Sequence, residues 1–295
     1  MCAVLASSAC GDELPGLEPP TDTLYYPSST TELADGSLLV VNGNFDLKFK
    51  TAWVNVLDID QALENASGAT PIEPYLTDSK LRILSHPGRV SMLDNEILLP
   101  HRGANHRGEA LISSISVGDG TLTCGLSGAP SAEMTTLERA TGCDEEGLIR
   151  LMPDGSNETT SELLTDTQVF DGAFEGAFHA EQFDWNDGAT VRRLAAIGFL
   201  DSNWLWLFER TEDSWSPLML TTIPVTAVGD IKAYSFEGDT QLVISGRGSS
   251  STPGRFLMMN ITESMIAGEY AGESFPFSDG LLARESVKVA TIESS

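Results

Sequence analysis

Histidine and arginine gather in one short stretch of an otherwise acidic chain of 295 residues. His101 and His106 lie five positions apart, with Arg102 and Arg107 beside them and Asn105 between. An imidazole pair can hold a divalent metal, but two neighbouring guanidinium groups disfavour one. The five residues form instead a basic spot suited to a carboxylate or a phosphate. Arg247, in the Gly/Ser-rich segment 246–251, is a further ligand candidate in a loop. His86 and His179 stand alone in the sequence. Oxygen donors collect at Asn42, Asn44 and Asp46, with Asp58 following. Calcium takes roughly six to eight oxygens, yet no Asp-x-Asp-x-Asp-Gly loop is present. Asn42, Asn44 and Asp46 are therefore ligand-contact candidates. No cofactor is expected, calcium being the one exception these oxygens allow.

Other chemistry is not visible. There is no Gly-x-Ser-x-Gly elbow and no His-Glu-x-x-His pair. The 246–251 segment lacks the lysine of a phosphate-binding loop and joins two apolar runs, so it reads as a hairpin loop. Trp204 and Trp206 alternate with Leu205 and Leu207, as packing residues do. Asn65, Asn157 and Asn260 each open a glycosylation sequon, a pattern that arises readily by chance. With no nucleophile or general base legible, a non-catalytic protein is expected.

The cysteines speak to compartment. Cys10 follows the small residues Ala6, Ser7, Ser8 and Ala9 and precedes an acidic, proline-rich stretch. This resembles the end of a bacterial lipoprotein signal, with Cys10 as the lipidated residue. Ser7 stands where an aliphatic residue is usual, and the basic and apolar regions of a full signal are missing before it. Cys124 and Cys143 bracket a loop-like stretch rich in Gly, Ser, Ala and Thr. In an exported protein such a pair reads as a disulfide. Closing that loop would stabilise the fold by roughly 3 kcal/mol in the chain-entropy picture.

The elements that must position these residues are strands. Pro15, Pro19 and Pro20 interrupt residues 1–23, which read as a signal remnant and tether ahead of one domain over 24–295. From there short apolar runs rich in β-branched and aromatic residues come in pairs: 37–42 with 53–58, 96–100 with 110–115, 194–198 with 204–208, 241–246 with 256–260. Each first run is entered through Asp35-Gly36, Asp94-Asn95, Asp187-Gly188 or Gly238-Asp239, residues that tolerate the positive φ of a tight hairpin. Matching ends fall at Asn42, Pro100, Gly198 and Gly246. The middle interval is about twice the others, so a degenerate unit is expected around 147–151. One helical turn is expected over 60–66. Repeats of ~40–50 residues built from short strands signal β-propeller blades. The expectation is an all-β protein, a β-propeller of about six four-stranded blades, with five or seven also fitting the length. Continuous apolar runs suit blades covered on both faces.

Lys and Arg number 17 against 43 Asp and Glu, a net charge of −26. That field repels phosphate backbones, so nucleic acid is not an expected partner. No apolar run approaches the ~18 residues that a membrane-spanning helix needs.

Leu39-Val40-Val41-Asn42 followed by Val54-Asn55-Val56-Leu57-Asp58 resembles the YVTN-type propeller repeat. The intervening Asn-Phe-Asp-Leu insert and the Cys-Gly near the start are similar to propeller lipoproteins of myxobacteria and related bacteria. The stretch 100–105 is similar to the matching turn of their next blade. The resemblance covers residues 10–125 well and 191–260 only in rhythm. It implies a cell-envelope propeller and assigns no catalytic residues. The combined expectation is a lipid-anchored, monomeric envelope protein facing the periplasm or the exterior. It would touch the membrane only through its anchor and would recognise an envelope protein or a small polar ligand through its rim loops. The alternative is a calcium-dependent propeller hydrolase of the lactonase or phosphotriesterase type.

Overall fold

The computed structural model describes residues 17, 19–20, 22–46, 48–49, 51–65, 75–102, 111–118, 121–125, 142–143, 148–151, 157–158, 176–186, 188–200, 203–212, 215–223, 225, 227–236, 238–247, 254–266 and 287–291. These form four antiparallel sheets in chain order. The first holds β1 (Pro27–Glu32), β2 (Leu38–Asn42), β3 (Ala52–Leu57) and β4 (Leu76–Ile83), with helix α1 (Ile59–Asn65) between β3 and β4. The second is built on β5 (Ser91–Leu93), β6 (Glu96–His101), β7 (Leu111–Gly118) and β8 (Thr121–Cys124). Two short strands attach to these sheets: β9 (Gly142–Cys143) runs parallel to β4, and β10 (Leu148–Leu151) pairs with β7 and with β11 (Asn157–Glu158). The third sheet is β12 (Ala177–Asn186), β13 (Val191–Phe199), β14 (Trp204–Arg210) and β15 (Trp215–Thr222). The fourth is β16 (Val228–Phe236), β17 (Asp239–Gly246), β18 (Arg255–Asn260) and β19 (Val287–Thr291), with the single turn α2 (Glu263–Ile266) before β19.

All four paired runs expected from the sequence are hairpins, β2–β3, β6–β7, β13–β14 and β17–β18. The turns that lead into them carry positive φ at Gly36, Asp94, Gly188 and Gly238, the conformation a tight hairpin demands. The helix over 59–65 is longer than the one turn expected, and Asp58 caps it by accepting the Gln61 N–H. Residues 148–151 are not a separate unit. They extend the second sheet along β7, because the flank of β7 away from β6 is long enough to pair β8 at 115–118 and β10 at 111–113. Four sheets stand among the described residues where six were expected.

Burial on both faces explains the unbroken apolar runs. In β6, Ile97 and Leu99 pack with Leu39, Val54 and Ile83 of the first sheet, while Leu98 turns to Ala195, Ile197 and Trp206 of the third. In β13, Ala195 and Ile197 face the second sheet, while Leu194 and Ala196 face Ile231, Leu242 and Leu257 of the fourth. Each such Leu or Ile, fully buried, contributes about 1.5–3 kcal/mol. A strand pleat with period two therefore reads apolar throughout when a neighbour lies on each side.

The first strands of successive sheets stand side by side, as strands lining the central channel of a propeller do. A side chain of each accepts a backbone N–H of the next: Ser29 from Val90, Ser91 from Gln182, Glu181 from Ala233. The sheets are thus keyed along their inner edges as well as packed on their faces.

Candidate functional site

One structural motif recurs at the start of every first strand. The residue just before it has positive φ: Tyr26, His86, Gly176 and Ala227. Its carbonyl accepts the N–H of the residue just after the second strand, Gly43, Arg102, Leu200 and Arg247 in turn. The equivalent ends of the second strands are Asn42, His101, Phe199 and Gly246, so the sequence-derived marks at Pro100 and Gly198 fall one residue early. A bulge follows within the first strand, between Pro27 and Ser29, Ala177 and His179, Val228 and Asp230. In the second sheet the register shifts likewise between the Pro87–His101 bridge and the Ser91–Leu98 pair. Bulges re-aim side chains. Ser29, Arg89, His179 and Asp230 therefore occupy one equivalent position in four strands.

Three of these four come together. Asp230 lies between Arg89, at 3.4 Å from Nη1 to Oδ2, and His179, at 3.2 Å from Nδ1 to Oδ1. The histidine contact has the distance of an ion pair without hydrogen-bond alignment, and neither imidazole nitrogen has a hydrogen-bond partner. His179 is only 2% exposed, whereas the Arg89 and Asp230 side chains are 49% and 38% exposed. The close approach of the strands rests on Gly88. A Cβ there would collide with the Phe178 carbonyl, which instead accepts the Arg89 N–H at 2.8 Å. Arg247 lays its guanidinium over the Phe178 ring, 5.4 Å from the centroid. Burial pushes the His179 imidazole down to about 4; the Asp230 charge and a weak backbone contact with Ile231 oppose this, and Lys232 and Arg89 add to it. At neutral pH His179 is a neutral base beside a carboxylate, with cations on either side.

The residues singled out from sequence fare differently. Asn42 is buried with its amide fully engaged: Oδ1 accepts the Tyr25 N–H, and Nδ2 donates to the Asn55 side chain and the Trp53 carbonyl. Asn44, also buried, clasps both backbone groups of Phe49 and donates to Ser85. Asp46 is exposed and holds the Lys48 N–H and the Tyr26 hydroxyl. With Asp58 capping a helix, these four oxygen donors do not converge, and they do not fit a calcium site. No cluster of three or more His, Cys, Asp or Glu suited to a metal occurs among the described residues.

His101 is no rim residue: it is fully buried, and Nε2 lies 2.7 Å from the Ser113 Oγ. The same Ser113 hydroxyl also reaches the Cys143 carbonyl, at 3.2 Å. Burial takes its pKa down to about 3, and it adds no charge to a basic spot. Arg102 and Arg247 do sit at equivalent rim positions. Asn105, His106, Arg107 and Cys10 lie outside the described residues. Cys124 and Cys143 are disulfide-bonded, which ties β8 of the second sheet to β9 beside the first.

Arg89, His179 and Asp230 escaped the sequence reading because they lie about 50 to 90 residues apart. The signal was positional. Each stands two residues after a Pro, Ala or Val that opens a first strand. A groove of about 700 Å³ at the opposite end of the first sheet gathers Asp35, Asp58, Asp60, Glu64 and Asp78. It collects carboxylates without a histidine or an arginine, and it offers no comparable base.

No protein-family model matches the chain, and no curated protein matches it. The YVTN resemblance thus has no family match behind it. Among solved structures the chain is similar to one from Bacteroides fragilis, at 15% identity and a TM-score of 0.39, covering 82% of this chain and 69% of that one. It is similar also to one from Bacteroides uniformis, at 16% identity and a TM-score of 0.39, covering 84% and 70%. Each is described as "a putative 6-phosphogluconolactonase". The expectation of a non-catalytic protein is not retained. That expectation had rested on finding no general base, and His179 beside Asp230 now supplies a candidate.

Proposed function

We propose that this protein is a hydrolase of the lactonase type, opening a small cyclic ester where the first strands converge. The reading is carried by one observation: a buried imidazole with neither nitrogen in a well-aligned hydrogen bond, 3.2 Å from a carboxylate. Asp230 would accept a hydrogen bond from Nδ1–H and so orient the ring, leaving Nε2 as general base. Nε2 accepts a proton from water as the water oxygen attacks the ester carbonyl. The ring C–O bond then breaks, and the imidazolium returns the proton to the leaving alkoxide. Arg89 and Arg247 supply positive charge for an oxyanion. No step passes through calcium. The disulfide supports action outside a reducing cytosol, and attachment to the envelope through Cys10 belongs to this proposal.

The test is ring opening above the spontaneous rate, followed by pH-stat, with 6-phosphogluconolactone and an unphosphorylated δ-lactone as probes. His179→Asn should lower kcat by about 10²–10⁴-fold, the usual worth of a general base. Wild-type protein with no rate above background on either lactone refutes the reading.

A further inference from the structure

We infer that Arg89 is a latch on Asp230 which an oxyanion releases, so that binding of a phosphate or carboxylate at Arg89 and Arg247 switches His179 into a competent base. This rests on the proposed role of His179 and adds how that site is controlled.

The geometry of the free protein is that of an idle base. Asp230 reaches His179 in distance but not in alignment, and its second oxygen is turned to Arg89. Both imidazole nitrogens are closed off from solvent. A substrate can reach Nε2 only if a neighbour moves, and Arg89 and Asp230 are the half-exposed neighbours. The Arg89–Asp230 contact at 3.4 Å is a loose one between solvent-accessible groups, and such pairs contribute little. A phosphate or carboxylate offers Arg89 a forked, charge-assisted partner in its place. Arg247, held over Phe178 next to Gly229, is paired with no carboxylate among the described residues and stands ready as the second cation.

The charges that act on His179 are Asp230 and Lys232 on β16 and Arg89 ahead of β5; Glu181 stands two residues along its own strand, and Arg247 lies over the neighbouring Phe178. Glu181 is engaged by Lys232 at 2.9 Å, which leaves Asp230 to orient the ring. An anion on Arg89 cancels one of the two charges that hold the imidazole down and frees the carboxylate that raises it. Occupancy and protonation are then linked reciprocally.

The test is an NMR titration of the histidine ring nitrogens in the full-length protein, with and without inorganic phosphate, His179 being assigned by its loss in His179→Asn. Phosphate should raise the His179 midpoint by about one pH unit. It should bind more tightly as pH falls, by the matching factor. Arg89→Gln should raise the midpoint without phosphate and abolish the further response. A midpoint that ignores phosphate in the wild type, or an Arg89→Gln protein that behaves as wild type, overturns the latch. Should Arg89→Gln fail to fold, Asp230→Asn decides. It frees Arg89 and should tighten phosphate binding about tenfold, while Glu181→Gln, which removes a nearby charge but no latch, changes it far less. Equal effects of the two substitutions refute the latch. These readouts need no lactone turnover, so a coupled but inactive protein would sink the proposed activity alone.

Discussion

His101 and His179 are both buried imidazoles held neutral, and that gives the fold a shared acid sensitivity. Burial lowers them to about 3 and about 4, while an unfolded chain would protonate each near 6.5. Between those limits the unfolded state binds more protons. Stability is therefore complete above about pH 6.5 and declines as pH falls through the window. The steepest loss is about 1.4 kcal/mol per pH unit for each histidine. Protonation of carboxylates acts in parallel, so the variant comparison isolates the histidine part. In His101→Gln, urea midpoints measured at pH 5, 6 and 7 should show a flatter dependence than in the parent, along with lower stability at pH 7. An unchanged slope would refute the assignment. The residue scale also shows what sequence could not say about these two. Next to Arg102, His101 looks exposed and cationic, yet the closing pair Pro87–His101 turns its ring inward to Ser113. His179 stands alone in sequence and acquires its meaning only from strands about 50 and 90 residues away.

At the scale of elements, hairpins were the most legible feature because their signal is local. A residue tolerant of positive φ just ahead of an apolar run names the turn, and the runs name the strands. The inner bulges carry no such signal, since a one-residue register shift can be set by the neighbouring sheet alone. Gly88 shows how. Its missing side chain lets the second sheet reach the Phe178 carbonyl, so Gly88→Ala should push Arg89 away from Asp230 and lower stability by about 1–3 kcal/mol. Thermal melts check the second part and the His179 NMR midpoint the first. The strand 148–151 misled the repeat count for a related reason: an apolar tetrad pairs with whatever edge is open, and β7 offered one. Between the second and third sheets, Arg210 grips Glu96 with two bonds of 2.9 and 2.8 Å, both side chains nearly buried. Arg210→Ala removes this forked partner from a nearly buried carboxylate, which should cost about 1–3 kcal/mol. The double variant Glu96→Gln, Arg210→Ala should recover part of that loss in denaturant titrations. A double variant no more stable than the single one would show the loss to be packing.

For the whole molecule, 43 acidic groups against 17 basic ones cannot be matched pair for pair. Some cations are already engaged between sheets, Arg210 with Glu96, Arg193 with Asp94 and Lys232 with Glu181. Most carboxylates are therefore left to repel one another across the surface, which favours expansion. Screening acts on both sides of this balance: it weakens attractive pairs and like-charge repulsion alike. The surplus of acids decides the sign. The Debye length shrinks from about 30 Å at 0.01 M to about 8 Å at 0.15 M, so long-range repulsion fades first while the buried Glu96–Arg210 pair is hardly touched. Thermal stability should rise by several degrees as sodium chloride goes from about 0.01 to 0.5 M, with most of the gain by about 0.15 M. Sodium chloride alone is the right probe, because phosphate would add binding at Arg89 and Arg247. A melting temperature that falls with salt would mean that surface pairs, not repulsion, dominate the electrostatics. The same field bears on the site. On the proposed reading, an anionic substrate would meet a net repelling field and a local cationic spot at Arg89 beside His179, so the global charge would sharpen local selection rather than capture at a distance.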